Sequence, residues 1–338
     1  MNDVTFIDVS GFSTSGSSAV VDLLKEFKGA YEAEAEIRII KDPYGLCDLE
    51  RALVYNWELI NSTAAISDFL EINKKYSRIN KYPWSPAGLN YKMTISPKYM
   101  DIVNEFIGKL TEFEMGQDFY HNKFKKNYFR YVTDRIRQGI QIYSSGKIKI
   151  ARSYKGYFAH PDEETFCKAV QELFYELFKE KIEKEDCSFV ILDQAVSPQN
   201  TQVIHRYFKK AKMIIVDRDP RDMYINDLKW GAAYTDYFRS VESGRRFALL
   251  HKQQRKNIIL DDDVMYVRFE DVVLKYDETI DKICAFLGVD RSNHINPKKF
   301  LKPEVSCKNV GLWKKYYDEC SKPIDEIARF LPEMLYEN

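Results

Sequence analysis

Five short apolar runs punctuate the chain: TFIDVS at 5–10, EIRIIK at 36–41, SFVILD at 188–193, KMIIVD at 212–217 and DVMYVRF at 263–269. Each is rich in branched and aromatic residues and too short for a helix, a pattern that predicts buried strands. Around them the apolar positions take helical spacing. SSAVVDLLKEF follows the first run, TQVIHRYFKK precedes the fourth, and EDVVLKYDETIDKICAFLG follows the fifth, with Gly288 as its stop. This alternation predicts an α/β fold, a central and mainly parallel sheet of about five strands flanked by helices, with ligands at the carboxyl ends of the strands. From about residue 48 to residue 186 the pattern becomes one of long, amphipathic, tyrosine-rich helices, broken at KYPWSPAG (81–88) and YSSGK (143–147). It reads as a large helical insertion, a cap within a single domain covering 1–338.

Composition narrows the class. With 338 residues, 45% of them hydrophobic, the chain can bury a full core. Lys+Arg and Asp+Glu are both 51, so overall charge does not argue for a nucleic-acid partner. No apolar run approaches the roughly 20 residues of a membrane span, and the polar start MNDVTFIDVS enters a strand pattern at once. The expectation is a cytoplasmic protein with no transmembrane segment and with room for peripheral membrane contact. The six cysteines are widely spaced without a C-x-x-C, which points to neither a disulfide framework nor a zinc site.

Candidate chemistry starts at Gly11-Phe12-Ser13-Thr14-Ser15-Gly16-Ser17-Ser18, where the first strand runs into the first helix. Backbone N–H groups converging at a helix N-terminus bind phosphate or sulfate whatever the side chains are. Gly11 and Gly16 allow the turn, and Ser13, Thr14, Ser15, Ser17 and Ser18 add hydroxyl donors. A nucleotide-binding loop of the form G-x-x-x-x-G-K-[ST] would carry lysine where Ser17 stands. A P-loop kinase, with Asp193 closing SFVILD as its Mg²⁺ ligand, is the rival reading, and a binding module without activity is a third.

The run Arg218-Asp219-Pro220-Arg221-Asp222, immediately after KMIIVD, makes the reading specific. Together with the loop at 11–18 it resembles the sulfotransferases that use 3′-phosphoadenosine 5′-phosphosulfate, whose second motif has the form R-x-P-[RK]-D-x-x-x-S. The resemblance implies a P-loop-like sulfotransferase fold. It also implies a loop that holds the 5′-phosphosulfate through Ser13, Thr14, Ser15, Gly16, Ser17 and Ser18, and Arg218 on the 3′-phosphate. Asn226 stands in the place of the family's serine. Tyr266-Val267-Arg268-Phe269-Glu270-Asp271-Val272 is similar to the family's "Y-E-D-L" unit, and Ser306-Cys307-Lys308-Asn309-Val310-Gly311-Leu312-Trp313-Lys314 to its late G-x-W-K loop. The latter likeness assigns Lys308 and Asn309 to the donor as well. Residues 1–45 and 186–318 carry the resemblance; the middle third does not.

Sulfuryl transfer is mostly positioning plus stabilisation of the charge that grows on the leaving phosphate. The family commonly has a lysine or arginine where this chain has Thr14, so Arg38, Lys41, Arg152 and Lys155 are the candidates for a replacing cation. A general base must take the acceptor's proton. The carbohydrate branch of the family implies Glu36, at the start of EIRIIK, with Glu34 nearby; the branch that uses a histidine implies His160, in GYFAHPDEE. The reaction needs no metal, and Asp193 then orients the loop or the acceptor. Residues 121–155 hold ten Lys+Arg against one acid, Asp134, interleaved with Tyr120, Tyr128, Phe129, Tyr131 and Tyr143. Such a strip suits a cleft for an anionic sugar chain. The expected acceptor is a hydroxyl of a glycan or lipid-linked sugar.

Overall fold

The computed structural model describes residues 4–337 apart from 83, 86, 118, 120–127, 146, 149–153, 185, 186 and 231–239. Its strands are β1 (Thr5–Gly11), β2 (Ala30–Glu36), β3 (Phe113–Gln117), β4 (Tyr154–Phe158), β5 (Phe189–Asp193), β6 (Ala211–Asp217) and β7 (Val264–Arg268). The chain divides into two compact units, one made of Met1–Arg38 with Phe178–Asn338 and the other of Ile39–Leu177.

The first unit is an α/β fold around a five-stranded sheet in the order β2-β5-β1-β6-β7, every neighbouring pair parallel. Parallel strands covered on both faces read as continuous apolar runs, and the first six residues of β1 are all buried. Ile7, Val9, Ile191, Ile214, Val216 and Val267 from the sheet pack with Val20, Leu23 and Leu24 of the helix Ser17–Leu24 and with Val272, Ile280 and Ile283 from the segment after β7. The helix Tyr276–Leu287 stops at Gly288, whose φ of +68° is open to glycine at little cost. Beside it, Glu26 is fully buried and accepts from the N–H groups of Phe300 and Leu301, 3.1 Å each, and from the Tyr276 hydroxyl at 2.5 Å, which ties the 294–301 segment to the sheet layer.

One strand differs from the expectation. The second strand is Ala30–Glu36, AYEAEAE, and not EIRIIK at 36–41. β2 is an edge strand paired only with β5, so it alternates instead of running apolar. Ile37, Ile39 and Ile40 are buried in the turn that follows.

The second unit is mainly helical: Leu46–Glu50, the π-helical turn Arg51–Tyr55, Leu59–Tyr76, Tyr91–Thr94, Tyr99–Leu110 and Tyr128–Tyr143, with the helix Glu163–Lys184 running out across the boundary. Tyr76, Tyr91 and Tyr99 belong to its core. Tyr76 lies 5.7 Å from Tyr91 and Tyr91 5.1 Å from Tyr99, ring centre to ring centre, and the Tyr99 hydroxyl donates to Asn73 Oδ1 at 2.5 Å. The antiparallel pair β3–β4 has no counterpart in the sequence reading. Thr63 joins it to the helix Leu59–Tyr76 by donating to the Tyr157 carbonyl at 2.8 Å.

Candidate active site

In the first unit the carboxyl ends of the strands line up as Glu36, Asp193, Gly11, Asp217 and Arg268, in sheet order. The loop after the central strand is held by its own backbone: Ser15 N–H donates to the Phe12 carbonyl at 3.0 Å, and Phe12 N–H donates to Ser15 Oγ at 3.2 Å. A Cβ on Gly11 would lie 2.3 Å from Ser15 Oγ and 2.6 Å from the Val216 carbonyl. Gly16 has φ +89° and would push a Cβ to within 2.6 Å of the Phe269 ring. Thr14 adopts φ +58°.

The hydroxyls divide into two groups. Ser13 donates to Asp227 Oδ1 at 3.3 Å, Thr14 donates to the Met223 carbonyl at 3.1 Å, and Ser15 is buried inside the turn. These three brace the loop against the helix Pro220–Trp230 and against itself. Ser17 accepts from Gln194 Nε2 at 2.8 Å, which leaves its proton to donate, and Ser18 is exposed. No side chain caps the helix Ser17–Leu24, whose first N–H groups are thus left for a ligand. An uncapped helix start with two serine hydroxyls fits a tetrahedral anion.

The residues after β6 reach this loop directly. Arg218 is 2% exposed, donates through Nη1 to the Thr14 carbonyl at 3.3 Å and through Nη2 to the Asn309 carbonyl, and lies over the Phe269 ring at 4.9 Å. Its Nε is buried without a hydrogen-bond partner among the described residues. Burial lowers the guanidinium's pKa from its ordinary value against the pull of Asp222, Glu270 and Asp219, and a guanidinium stays charged through such shifts. Asp222, 3.7 Å from Arg218, accepts from the N–H groups of Gly311 and Trp313, 2.8 Å each. Burial pushes its carboxyl up to about 6, against the Arg218 charge and these two amides. The run at 218–222 therefore clasps the first loop on one side and the 309–313 segment on the other.

Behind it stands a network that the sequence did not single out. Asp217 is fully buried and accepts from Arg255 Nε at 2.8 Å, from the Tyr266 hydroxyl and from Arg218 N–H at 2.7 Å. Burial opposes its ionisation, but Arg255 and the other donors outweigh that and hold the carboxyl below the ordinary range. Arg255 also lies 4.0 Å from the Phe12 ring centre, so it supports the loop from beneath. In the sequence it looks like one more cation in HKQQRK. Asp8 has a similar bracing role, accepting from Ser10 Oγ at 2.7 Å and from Ala195 N–H at 2.8 Å.

The remaining expected residues fall as follows. Asn226 is half-buried on the helix Pro220–Trp230, while Lys308 and Asn309 are exposed. Glu36 closes β2 opposite Asp193 and forms an ion pair with Arg38, so a candidate base and a candidate cation stand together. Asp193 is half-buried. His160, exposed, lies in the second unit with its ring 4.8 Å from Trp57. Lys41 and Lys155 are in that unit too, Lys155 paired with Glu114. Glu34's side chain and Arg152 lie outside the described residues. Among the described residues, the group of His, Cys and acidic side chains close enough to share a metal ion is Glu50, Glu163 and Cys167, in the second unit. No helix among them is long and apolar enough to cross a membrane.

Comparison with known proteins adds three findings. A family model described as sulfotransferase family matches residues 99–293. No curated protein matches the chain. Similar solved structures include the sulfotransferase domain of the Synechococcus PCC 7002 olefin synthase, at 14% identity over 100% of this chain and 96% of that one, with a TM-score of 0.41. A second is the sulfotransferase domain from the curacin biosynthetic pathway, at 11% identity over 99% of both chains and a TM-score of 0.41. A third is a sulfotransferase from Mycobacterium avium, at 10% identity over 98% of this chain and 75% of that one, with a TM-score of 0.36. The family match stops short of the loop at 11–18 and of the 309–313 segment, the two pieces that Arg218 and Asp222 hold. It takes in β3 to β7 and the whole run at 218–222, more than half of the molecule, and on that match the chain belongs to the sulfotransferase family.

Proposed function

We propose that this sulfotransferase takes its sulfuryl group from 3′-phosphoadenosine 5′-phosphosulfate and passes it to a hydroxyl of a carbohydrate or glycolipid acceptor. The observation that carries the donor is the approach of Arg218 to the first loop: a buried guanidinium with an unpartnered Nε, bonded to the Thr14 carbonyl beside an uncapped helix start. Those two features suit the two phosphate-bearing ends of one donor. The donor supplies an activated sulfur, at which the acceptor oxygen forms a bond as the bond to the 5′-phosphate oxygen breaks and leaves its electron pair there.

The chain's own groups then have distinct tasks. The N–H groups of Ser17 and Ser18 and their hydroxyls receive the growing negative charge. Glu36 accepts the acceptor's proton, and Arg38 beside it supplies the positive charge that Thr14 does not. The helical unit at 39–177 carries tyrosines and arginines of the kind that bind sugar faces and their charges. His160 is the alternative base.

Calorimetry with adenosine 3′,5′-bisphosphate, without metal, tests the donor. Binding is expected to exceed that of adenosine 5′-phosphate, and Arg218→Lys to remove about 2 kcal/mol of the difference, because lysine cannot replace a fork of donors. Equal affinity for the two nucleotides sinks the assignment. Transfer of labelled sulfate to a panel of oligosaccharides tests the rest: Glu36→Gln should lose turnover and keep bisphosphate affinity, and full turnover in that variant hands the proton to His160 or another group.

A further inference from the structure

The helix Tyr128–Tyr143 carries Phe129, Val132, Ile136, Ile140 and Tyr143 at intervals of three and four, which sets them on one face. On a helix packed against a core such a stripe is the buried side. Here most of it is outer: Phe129 is 77% exposed, Ile136 59%, Ile140 45% and Tyr143 92%, with Val132 half-buried. Opposite the stripe, Gln138 is half-buried and the Asp134 side chain is 13% exposed, 3.9 Å from Arg137 Nη1. Arg135 and Arg137 are exposed, and at 100° per residue they fall on opposite flanks of the apolar stripe.

We infer that this face lies on a membrane surface bearing anionic lipid, with the apolar stripe in the boundary between headgroups and acyl chains and the cations on the phosphates. Two observations choose this occupant. An apolar stripe flanked by arginines and bounded by aromatic residues at its two ends, Phe129 and Tyr143, is the form of a helix that lies in a bilayer interface. The surrounding sequence, 121–155, has ten cations against a single acid, which favours a negatively charged surface and opposes a second copy of the same face. The inference is independent of the donor and extends the reading of a lipid-linked acceptor: an enzyme held at a membrane meets such an acceptor in two dimensions.

The test is sedimentation of the full-length protein with vesicles of phosphatidylcholine alone and of phosphatidylcholine with phosphatidylglycerol. Binding to the anionic vesicles should exceed binding to the neutral ones by roughly tenfold and weaken in high salt, as expected for a few cations near a charged surface. Ile136→Asp with Ile140→Asp should abolish it, and Arg135→Glu with Arg137→Glu should remove the preference for anionic lipid. Both variants should keep the wild-type melting temperature and bisphosphate affinity, since the substituted side chains are exposed and the donor loop belongs to the other unit. No binding of the wild type to anionic vesicles overturns the inference, as does unchanged binding of the aspartate variant. A concentration-dependent dimer in sedimentation equilibrium that the aspartate variant dissociates overturns it too, and assigns the face to a second copy.

Discussion

Arg218 and His251 show how a single side chain acquires its task from where it is buried. Arg218 was legible because its neighbours in sequence spell a motif; what could not be read is that two of its nitrogens hold backbone carbonyls of Thr14 and Asn309, so it fastens the loop at 11–18 to the 309–313 segment. Ser13 and Thr14 were legible as hydroxyls and not as braces, for the same reason: their partners Asp227 and Met223 lie more than two hundred residues away. His251 gave no signal at all. It is fully buried, its Nδ1 is 3.0 Å from Arg255 Nη1, and its Nε2 is without a hydrogen-bond partner among the described residues. Arg255 can only donate, so Nδ1 accepts and Nε2 carries the proton. Burial first, and Arg255 second, push the ring's pKa down from 6.5 to about 3, with Asp217 pulling weakly the other way. A base depressed in the folded state contributes stability that is whole above its unfolded pKa and is lost as pH falls through the window from 6.5 toward about 3. Thermal melts from neutral pH downward should show that decline in the wild type and a shallower one in His251→Leu. Parallel curves would mean that the ring does not charge on unfolding.

At the scale of elements, four of the five strands of the parallel sheet fall where the apolar runs put them: β1, β5 and β6 lie inside the sheet and leave a continuous signature, while β7, an edge strand with Tyr266 exposed, is legible from its branched and aromatic residues. The exception, β2, is an edge strand with alternating AYEAEAE, and its neighbour EIRIIK is apolar because a turn and not a strand is buried there. Glu36 consequently moves from the start of a strand to its carboxyl end, the side on which the loop at 11–18 also stands. The β1 loop itself depends on its two glycines for different reasons, Gly11 for space against Ser15 and Val216 and Gly16 for both space and a left-handed backbone. Gly16→Ala combines the strain of φ +89° with a contact of 2.6 Å to the Phe269 ring. It should cost about 2 to 3 kcal/mol of stability, read by urea unfolding, and weaken bisphosphate binding in parallel. A variant as stable as the wild type would show that the loop has another conformation available.

For the whole molecule, equal numbers of cations and acids conceal a polarised charge. Ten of the 51 basic residues but only one of the 51 acids fall within 121–155, leaving 41 against 50 elsewhere. A chain with a sequence pI of about 7.0 should therefore be retained on a sulfonate cation exchanger at pH 7 and released by salt; passage in the void volume would mean that the strip's cations are neutralised by acids from the rest of the chain. What the sequence determined by itself is whatever depends on neighbours along the chain. The α/β alternation, the glycines of the first loop and the run at 218–222 are set by spacing, by backbone freedom and by side-chain type, all local quantities. Tertiary structure decided everything that depends on partners distant in sequence: the sheet order that sets Gly11 beside Asp193 and Asp217, the tie of Ser13 and Thr14 to Asp227 and Met223, the clasp of Asp222 on Gly311 and Trp313, and the outward turn of most of the stripe on Tyr128–Tyr143. An amphipathic pattern states that a helix has an apolar face; only the packing of the rest of the chain decides whether that face meets the core or the outside, because the free energy of burial depends on what is there to cover it.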